Sequence, residues 1–439
     1  MSKVVKFGGS SLASAEQFKK VGNIIRADKE RKYVVPSAPG KRFSNDTKVT
    51  DMLYACYDLA DQGKSFKAEL DAIKARYQEI IDGLQLDLDL SEEFKTIEKN
   101  FKAKSGNNYA ASRGEYLNGI IMANYLGYDF IDAATVIFFD ENGEFDAAKT
   151  NEVLRARLAE SKEAVVPGFY GSMPDGTVKT FSRGGSDITG SIVAKAAKAD
   201  VYENWTDVSG FLIADPRIID HPEAIETITY RELRELAYMG ATVLHEDAIF
   251  PVRREGIPIN IRNTNKPEDP GTLIVENTCR KPKYTITGIA GKTGFCSVTI
   301  EKAMMNSEIG FGRKVLGVFE DCGISFEHMP SGIDTMTIFV HQSEFEQHEQ
   351  FVISNIHRAV QPDSIELESD LALIAVVGRG MKSTRGTAGR IFSALAHARI
   401  NVKMIDQGSS ELNIIIGVKN ADFEAAVKAI YDIFITAEL

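Results

Sequence analysis

Two periods of apolar and polar residues alternate along the first part of the chain. Short apolar runs bounded by Gly, Pro or Ser read as buried strands: Val4 to Phe7, Tyr33 to Val35, Val136 to Phe139, Ala164 to Phe169, Val201 to Trp205 and Ile257 to Ile261. Between them, apolar residues recur at helical spacing. One helix is predicted from about Ser14, where Gln17 three positions on makes a capping-box pattern. Helical spacing dominates from Thr50 to Lys102. It returns near Asn108, with the stripe Tyr116, Leu117, Ile120, Ile121 and Leu126, and again from Asp187 to Ala199. Alternating strands and helices predict an α/β fold, a mainly parallel sheet covered by helices on both faces.

The rhythm changes near Tyr284, beyond the turn-rich stretch Asn265 to Gly271. A helix pattern starting at Gly312-Arg313 leads to Ile324–His328 and then an alternating run, Asp334–Val340. A related stretch starting at Gly389-Arg390 leads to Ile400–Ile405 and Leu412–Val418. Each is preceded by an apolar alternation, Ser297–Ile300 or Leu371–Val377. This weak internal repeat predicts two copies of a small α+β unit. The expected organisation is an α/β domain over 1–284 and an α+β region over 285–439. The two units of that region cover about 303–366 and 367–439, with one strand near 285–302 completing the second.

Composition narrows the function. Apolar residues at 44% and charged residues at 26% describe an ordinary soluble chain. A net charge of −11 disfavours nucleic-acid binding, which needs a basic surface. Cys56, Cys279, Cys296 and Cys322 form no Cys-x-x-Cys pair and have no His at metal-ligand spacing, so free thiols and no protein metal site are expected. The N-terminus lacks the apolar stretch of a signal peptide, and no apolar run approaches the roughly 20 residues of a membrane span. A cytoplasmic protein without membrane contact is expected.

Two Gly-Gly turns carry the candidate chemistry. In Lys6-Phe7-Gly8-Gly9-Ser10-Ser11 a strand ends in a lysine and two glycines before a helix. Backbone N–H groups there can approach an anion, and the helix N-terminus favours negative charge. Phosphoryl transfer needs such a cradle, though a plain strand–turn–helix also uses glycine. Ser182-Arg183-Gly184-Gly185-Ser186-Asp187 is the second turn, with Arg183 as a planar fork for a carboxylate. Glu115, in Ser112-Arg-Gly-Glu115, could hold an ammonium group or simply suit a helix N-terminus. Trp205 to Gly210 with Asp215-Pro-Arg217 follows a strand, where α/β sheets bind ligands.

Other motifs fail. Ala290-Gly-Lys-Thr293 is not a Walker A loop, because Ile286 stands at the first Gly and an alternating run follows. His245-Glu246 lacks a second His, Gly378-Arg-Gly380 continues to Ser383 rather than Gly, and no Gly-x-Ser-x-Gly elbow is present.

These segments, with Ser37-Ala, Thr50-Asp-Met-Leu and Gly240-Ala-Thr-Val-Leu-His245, resemble in order the aspartate kinases of the amino-acid kinase family. The C-terminal repeat resembles that family's paired ACT domains, βαββαβ units that bind amino acids. The resemblance implies ATP-dependent phosphorylation of the L-aspartate side-chain carboxylate, the first step toward lysine, threonine and methionine, with amino-acid feedback. It implies catalytic roles for Lys6 and Asp187. Lys6, Phe7, Gly8, Gly9, Ser10, Thr206, Asp207, Leu212, Arg217, Thr242 and Val243 would bind ATP. Ser37, Thr50, Glu115, Arg183, Gly184, Gly185 and Ser186 would bind aspartate. Mg²⁺ would arrive with ATP. Met305, Asn306, Ser307, Ser331 and Asp334 would contact lysine or threonine as effector, in a homodimer or larger assembly.

Thr242 stands where relatives commonly carry Lys, and Leu212 where they carry Tyr, so contacts on the nucleotide side depart from the family pattern. Lys41–Lys48 is longer than in many relatives. A fused homoserine dehydrogenase is not expected. Kinases of the same fold acting on glutamate, acetylglutamate, carbamate or UMP, a catalytically silent ACT sensor, and a dehydrogenase are the competing readings. The missing dinucleotide fingerprint disfavours the last.

Overall fold

The computed structural model describes residues 2–182, 184–241, 249–382 and 384–436. It divides into two compact units that interleave along the chain: Met1–Phe211 with Glu226–Tyr230 and Val243–Thr278, and Leu212–Ile225 with Arg231–Thr242 and Cys279–Leu439. The sequence reading places a single boundary near Tyr284. Two short segments upstream of it instead group with the C-terminal unit.

The strands of the first unit are β1 (Lys3–Phe7), β2 (Arg31–Pro36), β3 (Asp129–Phe130), β4 (Ala164–Val165), β5 (Tyr170–Ser172), β6 (Val178–Thr180), β7 (Val201–Thr206), β8 (Thr227–Thr229), β9 (Ile259–Asn263) and β10 (Thr272–Val275). Among the described residues, one sheet runs β3-β4-β2-β1-β7-β9-β10-β8. It is parallel except between β9 and β10. β5 and β6 form a separate hairpin.

The helices that follow in the chain are α1 (Ala15–Arg26), α2 (Val49–Asp61), α3 (Lys67–Leu84), α4 (Ser91–Lys102), α5 (Asn107–Leu126), α6 (Ala147–Glu160), α7 (Gly185–Ala196), α8 (Tyr230–Tyr238) and α9 (Phe250–Arg253). Val4, Val5 and Phe7 are fully buried because β1 sits mid-sheet with both faces covered. Phe18, Val21, Leu53, Ile73, Tyr77, Phe101, Leu117 and Ile121 from α1 to α5 pack with β1 and β2 into one core.

Three local expectations change. Ser14 caps α1 by accepting from the Gln17 N–H, but the Gln17 amide reaches Asn265 instead of closing the box. Val136–Phe139 is not a strand. Phe138 and Phe139 make isolated bridges to Ser172 and Phe145, and Phe139 is buried against the Phe145 and Phe181 rings. Burial without a ladder explains the apolar run. The strand expected over Ala164–Phe169 stops at Val165: the Gly168 N–H still reaches the Pro36 carbonyl at 3.1 Å, but Pro36 has no N–H to return.

The second unit is built on β11 (Gly288–Glu301), β12 (Phe326–His328), β13 (Thr335–His341), β14 (Ser364–Val377), β15 (Met404–Asp406) and β16 (Asn413–Lys419). The helices are α10 (Phe311–Asp321), α11 (Gln342–Phe345), α12 (Glu349–Val360), α13 (Thr387–His397) and α14 (Phe423–Tyr431). The sheet order is β12-β13-β11-β14-β16-β15, antiparallel where paired. The long strands β11 and β14 serve both repeats: Ser297–Glu301 pairs with β13, and Gly288–Thr293 pairs with the half of β14 that also holds β16. Alternation splits each strand between faces. Val298, Ile300, Ile338 and Val340 pack under α10 and α12, leaving Ser297, Thr299 and Thr337 on the other face.

Candidate active site

β1 and β7 lie side by side in parallel register, with Lys6 opposite Asn204 and Phe7 opposite Trp205. Their C-terminal ends therefore open at one level, the end of a parallel sheet where ligands bind. The chain leaves β1 through Gly8 into a 3-10 turn, Gly9–Leu12. The Gly8 N–H donates to the Trp205 carbonyl at 3.0 Å. The Ser37 N–H donates to the Phe7 carbonyl at 3.1 Å, and the Gly40 N–H to the Gly9 carbonyl at 2.8 Å. The turn is thus pinned between the loops after β2 and β7. A Cβ at Gly9 would stand 2.9 Å from the Ala38 carbonyl oxygen, so this approach requires glycine.

The second Gly-Gly turn opens α7. Gly184 caps it in the left-handed region at φ 61°, and Asp187 falls in the first turn. The Asp187 carboxylate meets the Lys6 ammonium at 2.5 Å. Asn204 joins the pair, accepting from Lys6 Nζ at 3.4 Å and donating through Nδ2 to Asp187 Oδ1 at 3.0 Å. Tyr202, two residues earlier on the same face of β7, donates its hydroxyl to the Asp187 carbonyl at 3.1 Å. Lys6 is 7% exposed and so is held inside the fold. Ser186 lies against Gly168, where an added Cβ would come within 2.6 Å of its Oγ.

Glu115, on α5, lies beside Ala38 and within reach of the Lys6 charge, and is 5% exposed. Burial pushes its carboxyl up to about 8, against the Ala38 and Glu115 backbone N–H groups and the charges of Arg113 and Lys6, which pull the other way. Its Oε2 is buried without a hydrogen-bond partner, so this carboxyl keeps one oxygen open to a further donor. Gly114 lies against Ala38 and Thr50, and the Ser37 carbonyl accepts from Asn118 Nδ2 at 2.6 Å. Arg113 is caged by the rings of Tyr109, Tyr116 and Tyr170.

The structure thus brings together Lys6, Gly8, Gly9, Ser37, Thr50, Glu115 and Asp187, with Ser10 exposed at the turn. Thr206 ends β7, its hydroxyl accepting from the Val208 N–H at 3.0 Å, and Asp207 beside it is exposed. Leu212 and Arg217 fall in the second compact unit. Leu212 bridges to Ala224, and the largely exposed Arg217 is held by Asp215 at 2.5 Å. Arg183, Thr242 and Val243 lie outside the described residues. In the second unit, Met305–Ser307 forms a 3-10 turn, with the Met305 side chain in the core rather than facing a ligand. The Asn306 N–H donates to the Ile333 carbonyl at 3.1 Å, and Asp334 Oδ1 accepts from the Met304 N–H at 2.9 Å.

Sequence reasoning missed Asn204, Tyr202 and Gly40. The available signal was an amide inside an otherwise buried strand, which is costly unless it is hydrogen-bonded to something specific.

Chemically, a buried lysine in a glycine cradle suits a phosphate, and a buried carboxyl with a free oxygen suits an ammonium. Comparison with known proteins shows the family. Residues 1–263 match the Amino acid kinase family, and residues 374–434 match an ACT domain. Aspartokinase 3 of Bacillus subtilis is 41% identical over 100% of this chain and 99% of its own length. The crystal structure of Clostridium acetobutylicum aspartate kinase superposes with a TM-score of 0.91 at 53% identity, covering 98% of this chain and 99% of that one. E. coli aspartokinase III, solved with lysine and aspartate in its T-state, gives a TM-score of 0.73 at 25% identity, covering 98% and 99%. Matched by the family model over residues 1–263 and by a relative 41% identical along its whole length, the protein belongs to the aspartokinases, kinases that phosphorylate the side-chain carboxylate of aspartate.

Proposed function

We propose that the γ-phosphoryl group of Mg·ATP passes in line to the L-aspartate side-chain carboxylate at the Gly8-Gly9 turn. A carboxylate oxygen forms the new P–O bond while the bond to the β-phosphate oxygen breaks, giving 4-phospho-L-aspartate and ADP. The acceptor is already ionised near neutral pH, so no general base is needed. Positioning and charge stabilisation then carry the rate. The Lys6–Asp187–Asn204 cluster supports this reading above all, because it holds an ammonium at the anion cradle.

Lys6 neutralises the transferring phosphoryl group, and Gly8, Gly9 and Ser10 donate N–H groups to its oxygens. Asp187 fixes Lys6. Glu115 takes the aspartate ammonium, Arg183 its α-carboxylate, and Ser37, Thr50 and Ser186 complete the pocket. Phe7, Thr206, Asp207, Leu212, Arg217, Thr242 and Val243 serve the nucleotide. Mg²⁺ enters on the phosphates. The described residues hold no cluster of three His, Cys, Asp or Glu able to cage it, and this ion favours substrate oxygens.

Residues 1–284 form the kinase domain, and 285–439 form two ACT domains that sense an amino acid. Lysine is the leading effector, since E. coli aspartokinase III was solved with it. Asn306, Ser307, Ser331 and Asp334 form its pocket. Met304, Ile309 and Ile333 are 68%, 98% and 70% exposed beside that loop, supporting burial by a second subunit and a homodimer. Free thiols, and no helix among the described residues long and apolar enough to cross a membrane, suit the cytoplasm.

The test is ADP release from Mg·ATP with L-aspartate, trapping the acyl phosphate with hydroxylamine, with and without lysine. Aspartate-dependent hydroxamate, suppressed by lysine, is expected. ADP formation with another acceptor but not with aspartate would overturn the substrate assignment.

A further inference from the structure

In the first unit, α6, α7 and α9 meet around a cavity of about 270 Å³. At roughly 30 Å³ per water-sized atom, it has room for a ligand of about nine non-hydrogen atoms. α7 forms one wall. Gly190 of that helix lies against the Tyr202 ring. Ile192 and Lys195, two and five residues on, stand on roughly the opposite side of the helix and line the cavity. None of the lining residues belongs to the phosphate cradle, the aspartate pocket or the effector loop.

Phe145, Ile192, Phe250 and Pro251 give the cavity a largely apolar wall. Phe250 is 56% exposed, so a ring laid against it would bury apolar surface that the fold leaves in water. The polar groups are few. Thr150 accepts from the Phe138 N–H at 2.9 Å. Asn151 Oδ1 accepts from Arg155 Nη2 at 3.4 Å, which leaves its Nδ2 to donate. Lys195 meets the Glu255 carboxylate at 3.3 Å, a partly exposed and therefore weak pair. Arg254 is exposed and pairs with no carboxylate among the described residues. Lys195, Glu255 and Arg254 together leave one positive charge, in a chain whose net charge is −11. No Asp or Glu lines the cavity, so a ligand ammonium would find no partner in its wall. An apolar cavity with a few convergent donors and one surplus positive charge fits an apolar body carrying one negative charge.

We propose that this cavity binds a small aromatic monocarboxylate that carries no amino group. The ring packs against Phe250, Pro251 and Ile192. Arg254 takes the carboxylate, with Lys195 and the Asn151 amide as further donors. The apolar wall selects the ring, the single surplus charge selects one carboxylate, and the lack of an acidic lining residue discriminates against amino acids. The site stands apart from the aspartate and effector assignments and depends on neither.

The experiment is equilibrium dialysis of the full chain against benzoate and phenylacetate, with saturating L-aspartate present to keep carboxylates out of the active site. Acetate lacks the ring, 2-phenylethanol lacks the charge, and L-phenylalanine adds an ammonium; these are the controls. At least one of the two aromatic acids is expected to bind saturably, one per chain, and at least tenfold tighter than every control. Arg254→Met and Phe250→Ala are each expected to weaken that binding at least tenfold. Both side chains are exposed, so neither substitution opens the core, and thermal unfolding checks that each variant is folded. Aspartate-dependent ADP release should be unchanged in both. Absence of saturable binding by both aromatic acids, or wild-type affinity in either variant, overturns the proposal. Binding of L-phenylalanine as tight as that of the aromatic acids overturns the assigned ligand class.

Discussion

Lys6 and Asp187 meet at 2.5 Å although one ends the first strand and the other begins a helix far along the chain. Asn204, opposite Lys6 in the sheet register, bonds to both. The ammonium is therefore held in place by the fold itself, and in the proposed transfer it need not be reorganised.

On the proposed transfer, replacing Lys6 by Ala removes the charge that stabilises the transition state. Turnover should fall on the order of a hundredfold to a thousandfold, the usual cost of deleting one preorganised electrostatic contact. Asn204→Ala leaves the charge but loosens it, so its loss should be smaller and confined to kcat. Initial rates at saturating aspartate and ATP decide this. Near-normal turnover in Lys6→Ala would remove it from the chemistry.

Glu115 makes the site sensitive to pH. In the free protein its carboxyl is raised by burial from 4.5 to about 8. The sign follows from linkage. The folded state holds a proton that the unfolded state releases above 4.5, so stability is full below that value and declines as pH rises toward 8. The apparent melting temperature should therefore drop between pH 6 and 8, and less so in Glu115→Gln. Substrate binding runs the other way. An ammonium needs the ionised carboxylate, so kcat/KM for aspartate should rise with pH up to about 8 and lose that limb in Glu115→Gln. A profile identical in the two proteins would exclude Glu115 from the pocket.

Much of this was legible because it is local. Strand, glycine pair and helix start occupy consecutive residues, so Lys6, Gly8, Gly9 and Asp187 could be read directly. Pairing partners distant in the chain could not. Nothing near Asn204 in the sequence says that it faces Lys6, because register is set by the whole sheet. Val136–Phe139 misled for a related reason: an apolar run reports burial, and side-chain packing met that need without a ladder. The regulatory repeat was visible, but the sharing of β11 and β14 between its halves depends on long-range pairing.

Arg76 is the brace behind the glycine turn. Its guanidinium is 4% exposed, pairs with Asp46 at 2.6 Å, and donates to the Ala13 and Gly40 carbonyls at 3.1 and 2.8 Å. Arg42 and Arg76 hold the Asp46 carboxyl far below its ordinary range. That contribution is present above pH 3.8 and is lost as pH falls. Arg76→Met removes one partner of a buried pair and should cost about 3 kcal/mol, the low end for such losses because Arg42 remains. Urea unfolding measures the cost, and faster proteolysis near Lys41–Lys48 should accompany it. Unchanged stability and protection would show that the loop is held by Arg42 alone.

Gly40 tests whether the cradle depends on a backbone-to-backbone fit. A Cβ there would lie 2.6 Å from the Gly9 carbonyl carbon and 2.8 Å from the Ser10 nitrogen. Those atoms belong to the turn itself, so no rotamer change can relieve the clash. Gly40→Ala must push Gly9 and Ser10 away from the loop after β2, and with them the N–H groups proposed to bind the phosphate. Gly63→Ala is the control: its added Cβ meets nothing within 4 Å, so only the strain of its positive φ, at 70°, is felt. Gly40→Ala should lower turnover at least tenfold, because displaced donors lose transition-state contacts. Its KM for aspartate should change less, since Glu115 projects from α5 and not from the turn. Gly63→Ala should lose some stability and keep its turnover. If Gly40→Ala matched Gly63→Ala in rate, the turn would be adjustable and the fixed-cradle account of catalysis would fail.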